Sequence, residues 1–144
     1  MFRVHPIGVR LTLIRMTSRI ESIAIDTHDS HLLAEFWTRV LGWEIVDVDG
    51  PLIEIGPADG SGPTIDLLAV PESKTVKNRL HLDLRADGCT TEEEIDRVVA
   101  LGARRVDVGQ DPSVTWTVLA DPEGNEFCIL GRTHDEAHGP ESSA

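Results

Sequence analysis

Short runs of alternating apolar and polar residues fill most of this chain, and two longer segments switch to helical spacing. Ile20 to Asp26 alternates as a short strand. Asp29 or Ser30 can then cap a helix whose apolar stripe is Leu32, Leu33, Phe36, Trp37, Val40 and Leu41, and Gly42 ends it. Three β-type runs follow, Trp43 to Val48, Leu52 to Ile55 and Thr64 to Val70, divided by Asp49-Gly50-Pro51 and by the Gly- and Pro-rich stretch 56–63. The same order returns about 60 residues later. A strand at Arg79 to Arg85 leads to a helix capped by Thr90 or Thr91 and carrying Ile95, Val98, Val99 and Leu101. Strands near Arg104 to Val108, Val114 to Ala120 and Asn125 to Leu130 complete the repeat, with Asp121-Pro122-Glu123-Gly124 as the turn between the last two.

This pattern predicts an α+β fold of two βαβββ modules. Each unit is too small to bury both faces of its own sheet, so the two are expected to form a curved mixed sheet around a shared cavity. A ferredoxin-like arrangement is the rival, and the three strands after each helix favour the paired modules. The expected divisions are an N-terminal extension over residues 1–16, a first module over 17–70, a linker over 71–78, a second module over 79–131 and a disordered tail over 132–144. The tail is rich in Gly, Pro, Ser and charge, and its His134 and His138 read as solvated rather than as a metal site.

Charge narrows the range of partners. A formal net charge of -12 with no basic stripe would repel a phosphate backbone, so nucleic acid is not expected as a partner. No stretch approaches membrane-spanning length, and membrane association is not expected either. Arg3, Arg10 and Arg15 interrupt the apolar start, and no small-residue cleavage site follows them, which argues against secretion. Cys89 and Cys128 have no metal-ligand spacing and read as reduced thiols, consistent with a cytoplasmic protein.

Strand parity selects candidate site residues, because alternate side chains point to opposite faces. In Arg79 to Arg85 the helix-facing set is Leu80, Leu82 and Leu84, which puts His81 and Asp83 on the opposite, cavity face. In the last strand Phe127 and Ile129 are the expected core, leaving Glu126, Cys128 and Leu130 toward the cavity. His81 suits a metal ligand, a general base or a structural histidine, and Asp83 an ion pair with Arg79 or Arg85. Cys128 reads as a small hydrophobe, with ligand or reactive thiol as alternatives. Trp37 belongs to the core, Trp43 packs beneath the first helix or lines the cavity, and Trp116 is either core or a stacking surface for a ligand.

Several motifs in order carry a family resemblance: Phe36-Trp37 with Val40-Leu41-Gly42-Trp43, then Asn78 to Leu84, then Asp121-Pro122-Glu123-Gly124-Asn125-Glu126-Phe127-Cys128. Together they resemble the glyoxalase-like branch of the vicinal-oxygen-chelate superfamily, which includes bleomycin-resistance proteins and ring-cleaving dioxygenases. The resemblance implies a cup in which enzyme members hold one divalent metal through four side chains from the first and last strand of each module. Carried onto this chain, those positions are Ser22, then Asp66 or Leu68, then His81, then Cys128. Ser22 and Cys128 stand where relatives usually have His or Gln and Glu, so the set departs from the usual oxygen- and imidazole-rich site.

Two functions are therefore weighed. The first is a small-molecule binding protein without a resident metal, holding an apolar ligand with a polar group against Ser22, Asp66, Trp116 and Glu126, with His81 and Asp83 as the groups suited to proton transfer. The second is a metal-dependent lyase, isomerase or dioxygenase using one divalent ion on His81, Asp66 and Cys128. A third reading is an interaction domain that forms a homodimer through its open sheet edges.

Overall fold

The computed structural model describes residues 16–141, so nearly all of the expected N-terminal extension lies outside the described residues. The first module runs β1 (Ser22–Thr27), α1 (Ser30–Leu41), β2 (Glu44–Asp49), β3 (Leu52–Gly56) and β4 (Thr64–Ala69). The second runs β5 (Asp83–Leu84), α2 (Thr91–Ala100), β6 (Arg104–Arg105), β7 (Thr117–Ala120) and β8 (Glu126–Ile129). A short helix α3 (His134–His138) follows. Both sheets have the same mixed order, β1-β4-β3-β2 and β5-β8-β7-β6, with the first strand of each module parallel to the last. The two remain separate ladders among the described residues. No helix among them is long and apolar enough to cross a membrane.

The helix boundaries follow the expected caps. The Asp29 side chain accepts from Leu32 N at 3.0 Å, and Gly42 closes α1 in the left-handed region at φ 66°. Thr90 and Glu93 form a reciprocal capping box at α2. The second module's strands are shorter than their patterns suggest. The parallel register that sets Asp83 beside Cys128 would carry Leu80 to Asn125, where the chain has already turned. Leu80 is accordingly exposed, while Leu82 and Leu84 pack on the core. The expected disordered tail is corrected over its first part: Thr133 and Glu136 form a second capping box that holds α3.

One core spans both modules. Leu33, Phe36, Trp37, Ile53, Ile55 and Leu67 from the first meet Ile95, Val98, Leu119, Phe127 and Ile129 from the second. Phe127 sits edge-on to Trp37 at 5.0 Å between ring centroids and to Phe36 at 6.2 Å. Trp37 Nε1 donates to the buried Asp121 carboxylate at 3.2 Å, and Trp43 lies against the same core.

Five further hydrogen bonds, three to Glu123 and two from Arg97, fix α1 at its two ends. Glu123 accepts from Thr27 Oγ1, from His28 N at 2.6 Å and from Asp29 N at 2.8 Å, just ahead of the helix. At the other end Arg97 of α2 donates to the carbonyls of Arg39 and Val40 at 3.0 and 2.9 Å. A cation there satisfies carbonyls that the helix leaves without partners. Burial alone would raise the Glu123 pKa, but the bonds from Thr27, His28 and Asp29 outweigh it and hold the group below its ordinary 4.5. Asp121 moves the other way, because burial outweighs the bonds it accepts from Asn125, the Glu123 amide and Trp37.

A depressed carboxylate contributes stability that is present above its unfolded pKa and lost as pH falls through its folded one. Glu123→Gln is therefore expected to melt below the parent protein near neutral pH, with the difference shrinking as pH falls below about 4.5. Thermal melts across that range check this, and a difference unchanged by pH would contradict it.

Candidate functional site

The parallel pairing of β5 with β8 and the antiparallel pairing of β8 with β7 place Asp83, Cys128 and Val118 in one row across the second sheet. That row floors a half-open cavity of about 480 Å³. Val108, Val118 and Leu130 supply apolar wall, Trp116 adds an indole, and Lys77, His81, Asp83, Gln110 and Glu126 supply polar groups. Every lining residue belongs to the linker or the second module.

His81 and Asp83 lie two residues apart and so share a face, as strand parity predicts. His81 Nδ1 is 2.9 Å from Asp83 Oδ1. Of the readings open for the two residues, a histidine held by Asp83 is the one this contact matches, rather than an ion pair of Asp83 with Arg79 or Arg85; Arg85 donates to the Arg132 carbonyl at 2.7 Å. With Nδ1–H donated to the carboxylate, Nε2 is left as the acceptor. The arrangement provides an oriented imidazole that can accept a hydrogen bond or a proton from a ligand.

Cys128 Sγ lies 3.9 Å from His81 Nδ1. Burial first, and the Asp83 carboxylate second, push its pKa up to about 11. The residue therefore stays a thiol near neutral pH, and the nucleophilic alternative is disfavoured. His81, Asp83 and Cys128 bring ligand atoms within 4.8 Å of one another.

The other sequence candidates divide. Trp116 is neither core nor within a strand: it precedes β7, is 41% exposed and lines the cavity. Glu126 reaches the cavity, but its carboxylate accepts from Lys74 Nζ at 2.9 Å and from Asn78 N at 3.0 Å. It anchors the linker, whose Lys77 lines the same cavity and donates to the Asn78 carbonyl at 3.2 Å. Ser22 and Asp66 hydrogen-bond to each other at 2.8 Å on the first sheet and do not line this cavity. Sequence reasoning missed Lys77, the Val108–Gln110 loop and Val118. Val118 was findable from strand alternation, whereas the linker and loop carry no periodic signal.

Gly131 also shapes the site. A Cβ at this position would stand 2.5 Å from the Thr115 carbonyl oxygen, so only glycine lets the chain after β8 pass the backbone that carries Trp116. The chemistry of Cys128 gives a direct check. At about pH 8 Cys128 should resist iodoacetamide in the native protein and react after denaturation. Rapid native alkylation mapped to Cys128 would contradict the protonated, shielded thiol.

The sequence matches the model of the glyoxalase-like domain family over residues 22–130. No curated protein matches the chain. Among solved structures, the fosfomycin resistance protein FosX from Listeria monocytogenes superposes with a TM-score of 0.63 at 16% identity, over 85% of this chain and 97% of that one. A glyoxalase/bleomycin resistance/dioxygenase family enzyme from Burkholderia phytofirmans PsJN gives a TM-score of 0.58 at 19% identity, over 78% and 97%. Oxidase ChaP-H2 gives 0.57 at 20% identity, over 87% and 100%. At these identities the structures establish the fold alone.

Proposed function

Since the chain belongs to the glyoxalase-like domain family, of the glyoxalase/bleomycin resistance/dioxygenase superfamily, we propose that it is a small-molecule binding protein whose ligand occupies the cavity of the second module. The observation that carries this reading is a half-exposed Trp116 indole bordering the same cavity as the oriented His81–Asp83 pair. An exposed aromatic face recognises the flat, apolar body of a ligand, and the imidazole recognises one polar group, such as a hydroxyl. Lys77, which also lines the cavity, would suit a separate negatively charged group on that ligand, apart from the hydroxyl that donates to Nε2. The setting is taken to be cytoplasmic, where the free thiols of Cys89 and Cys128 persist.

A second reading is metal-dependent lyase, isomerase or dioxygenase chemistry, favoured by the convergence of His81, Asp83 and Cys128. A FosX structure is described as a complex with Mn(II) and a dihydroxypropylphosphonic acid. Imidazole, carboxylate and thiol fit zinc better than an ion that prefers oxygen ligands. Asp66, bonded to Ser22, is not part of that group. When bound, such an ion would supply Lewis-acid polarisation of a ligand oxygen. His81 would then orient the ligand rather than accept its proton, and Cys128 would have to lose a proton to bind the ion.

A homodimer belongs to the proposal as well. Ile45, Val46 and Val48 on edge strand β2 each expose more than half of their surface, and a second copy would cover them. Sedimentation that finds only monomer at high protein concentration would remove that part.

Titration with small aromatic acids and phenols tests the main reading. A fitting compound should change the tryptophan fluorescence, and Trp116→Phe should remove most of that change. His81→Ala should weaken binding by roughly three- to tenfold, the scale of one neutral hydrogen bond. A Trp116→Phe protein that keeps the whole signal, or a His81→Ala protein of unchanged affinity, would count against this site.

A further inference from the structure

The linker ahead of β5 is tied to the rest of the protein by one side chain. From Pro71 to His81 no backbone group bonds to the backbone of either module among the described residues. The segment is held by Glu126 on β8, whose carboxylate accepts from Lys74 Nζ at 2.9 Å and from Asn78 N at 3.0 Å. The Lys74 and Glu126 side chains are only 18% and 14% exposed, so water and salt screen this pair less than one on the open surface. Apolar packing adds little to the hold, because Val76 in the same segment leaves 76% of its surface exposed. Lys77 lies between Lys74 and Asn78, the two residues that Glu126 clasps, and it lines the cavity.

The charged side chains lining the cavity are Lys77, Asp83 and Glu126. Both carboxylates are engaged, Asp83 with His81 Nδ1 at 2.9 Å and Glu126 with the linker. Lys77 makes no ion pair among the described residues, and its Nζ donates to the adjoining Asn78 carbonyl at 3.2 Å. An ammonium carries three donors, so the group keeps capacity for an anion. Gln110 Oε1 accepts from Val108 N at 3.0 Å, which leaves its amide NH2 to donate as well. His81 offers the opposite chemistry: its Nε2 accepts, and the Asp83 carboxylate beside it repels negative charge. The hydroxyl and the acid group of one ligand therefore sort to different residues.

We propose, resting on the ligand site proposed above, that the linker is a charge-selecting strap: Glu126 positions it so that Lys77 receives the carboxylate of an aromatic hydroxy acid whose hydroxyl donates to His81. Lys77 is then the residue that sets specificity, and Glu126 is a positioning residue whose own charge has the wrong sign for an acid. The two roles of Glu126 oppose each other. Removing its charge would by Coulomb interaction alone strengthen acid binding, whereas releasing the strap weakens it.

Calorimetry on the full chain with 3-hydroxybenzoate, 4-hydroxybenzoate and 3-(4-hydroxyphenyl)propionate, each beside its methyl ester, separates these effects. The acid of a fitting pair should bind about tenfold tighter than its ester, the scale of a hydrogen bond to a charged group. Lys77→Gln should bring that ratio to about one, and Lys77→Arg should preserve most of it. Glu126→Gln should lower the ratio severalfold through weaker acid binding, and should lower it no further in a Lys77→Gln background. Glu126→Asp, which keeps the charge on a shorter arm, replaces Glu126→Gln if that variant folds poorly and should lower the ratio likewise. Equal affinity for acid and ester, a ratio untouched by Lys77→Gln, or tighter acid binding in Glu126→Gln would overturn the strap and leave the cavity as the ligand site. Binding by none of these acids and esters would overturn both.

Discussion

Helix α1 belongs to the first module by sequence, yet the second module decides where it lies. Its carbonyl end is held by Arg97, its entry by the Glu123 carboxylate, and its middle by Trp37, which packs on Phe127 and donates to buried Asp121. The Trp37–Asp121 contact is the central constraint. A carboxylate that is 1% exposed needs its donors, and those donors are the indole, the Asn125 side chain and amide, and the Glu123 amide. One residue thus closes the β7–β8 turn and joins it to the opposite module.

This arrangement assigns the faces of the second sheet. With Leu119, Phe127 and Ile129 committed to the core, the residues between them, Val118 and Cys128, must face the other way. The core contacts therefore position the cavity without contributing to it. The cavity row is completed by Asp83 from the parallel strand, and Asp83 in turn orients His81. The rim depends on less regular devices. Glu126 ties down the linker that carries Lys77, and Gly131 permits the close passage beside Thr115 that seats Trp116.

The same division explains what could be read from the sequence. The two modules, their helix caps and the face shared by His81, Asp83 and Cys128 follow from periodicity, which local chain geometry imposes directly. The limits of β5 were less accessible, because they depend on where a strand distant in sequence turns away. Trp116 looked like the centre of an alternating strand, but the strand begins one residue later, and the indole remains exposed. Ser22 and Asp66 were expected by analogy to face a ligand. Their mutual hydrogen bond is a pairing across neighbouring parallel strands that periodicity does not reveal. The tail composition suggested disorder, whereas Thr133 and Glu136 provide a cap that a count of Gly, Pro and Ser overlooks.

The central claim is that ligand recognition lies on the second sheet's open face, within the row formed by Asp83, Cys128 and Val118. Backbone amide shifts recorded by NMR while an aromatic acid is titrated into the full chain would test it most directly. The account predicts shifts concentrated at His81, Asp83, Trp116, Val118 and Cys128, with the first sheet around Ser22 and Asp66 little affected. Shifts centred on Ser22, Asp66 and their neighbours, with the second sheet silent, would contradict it.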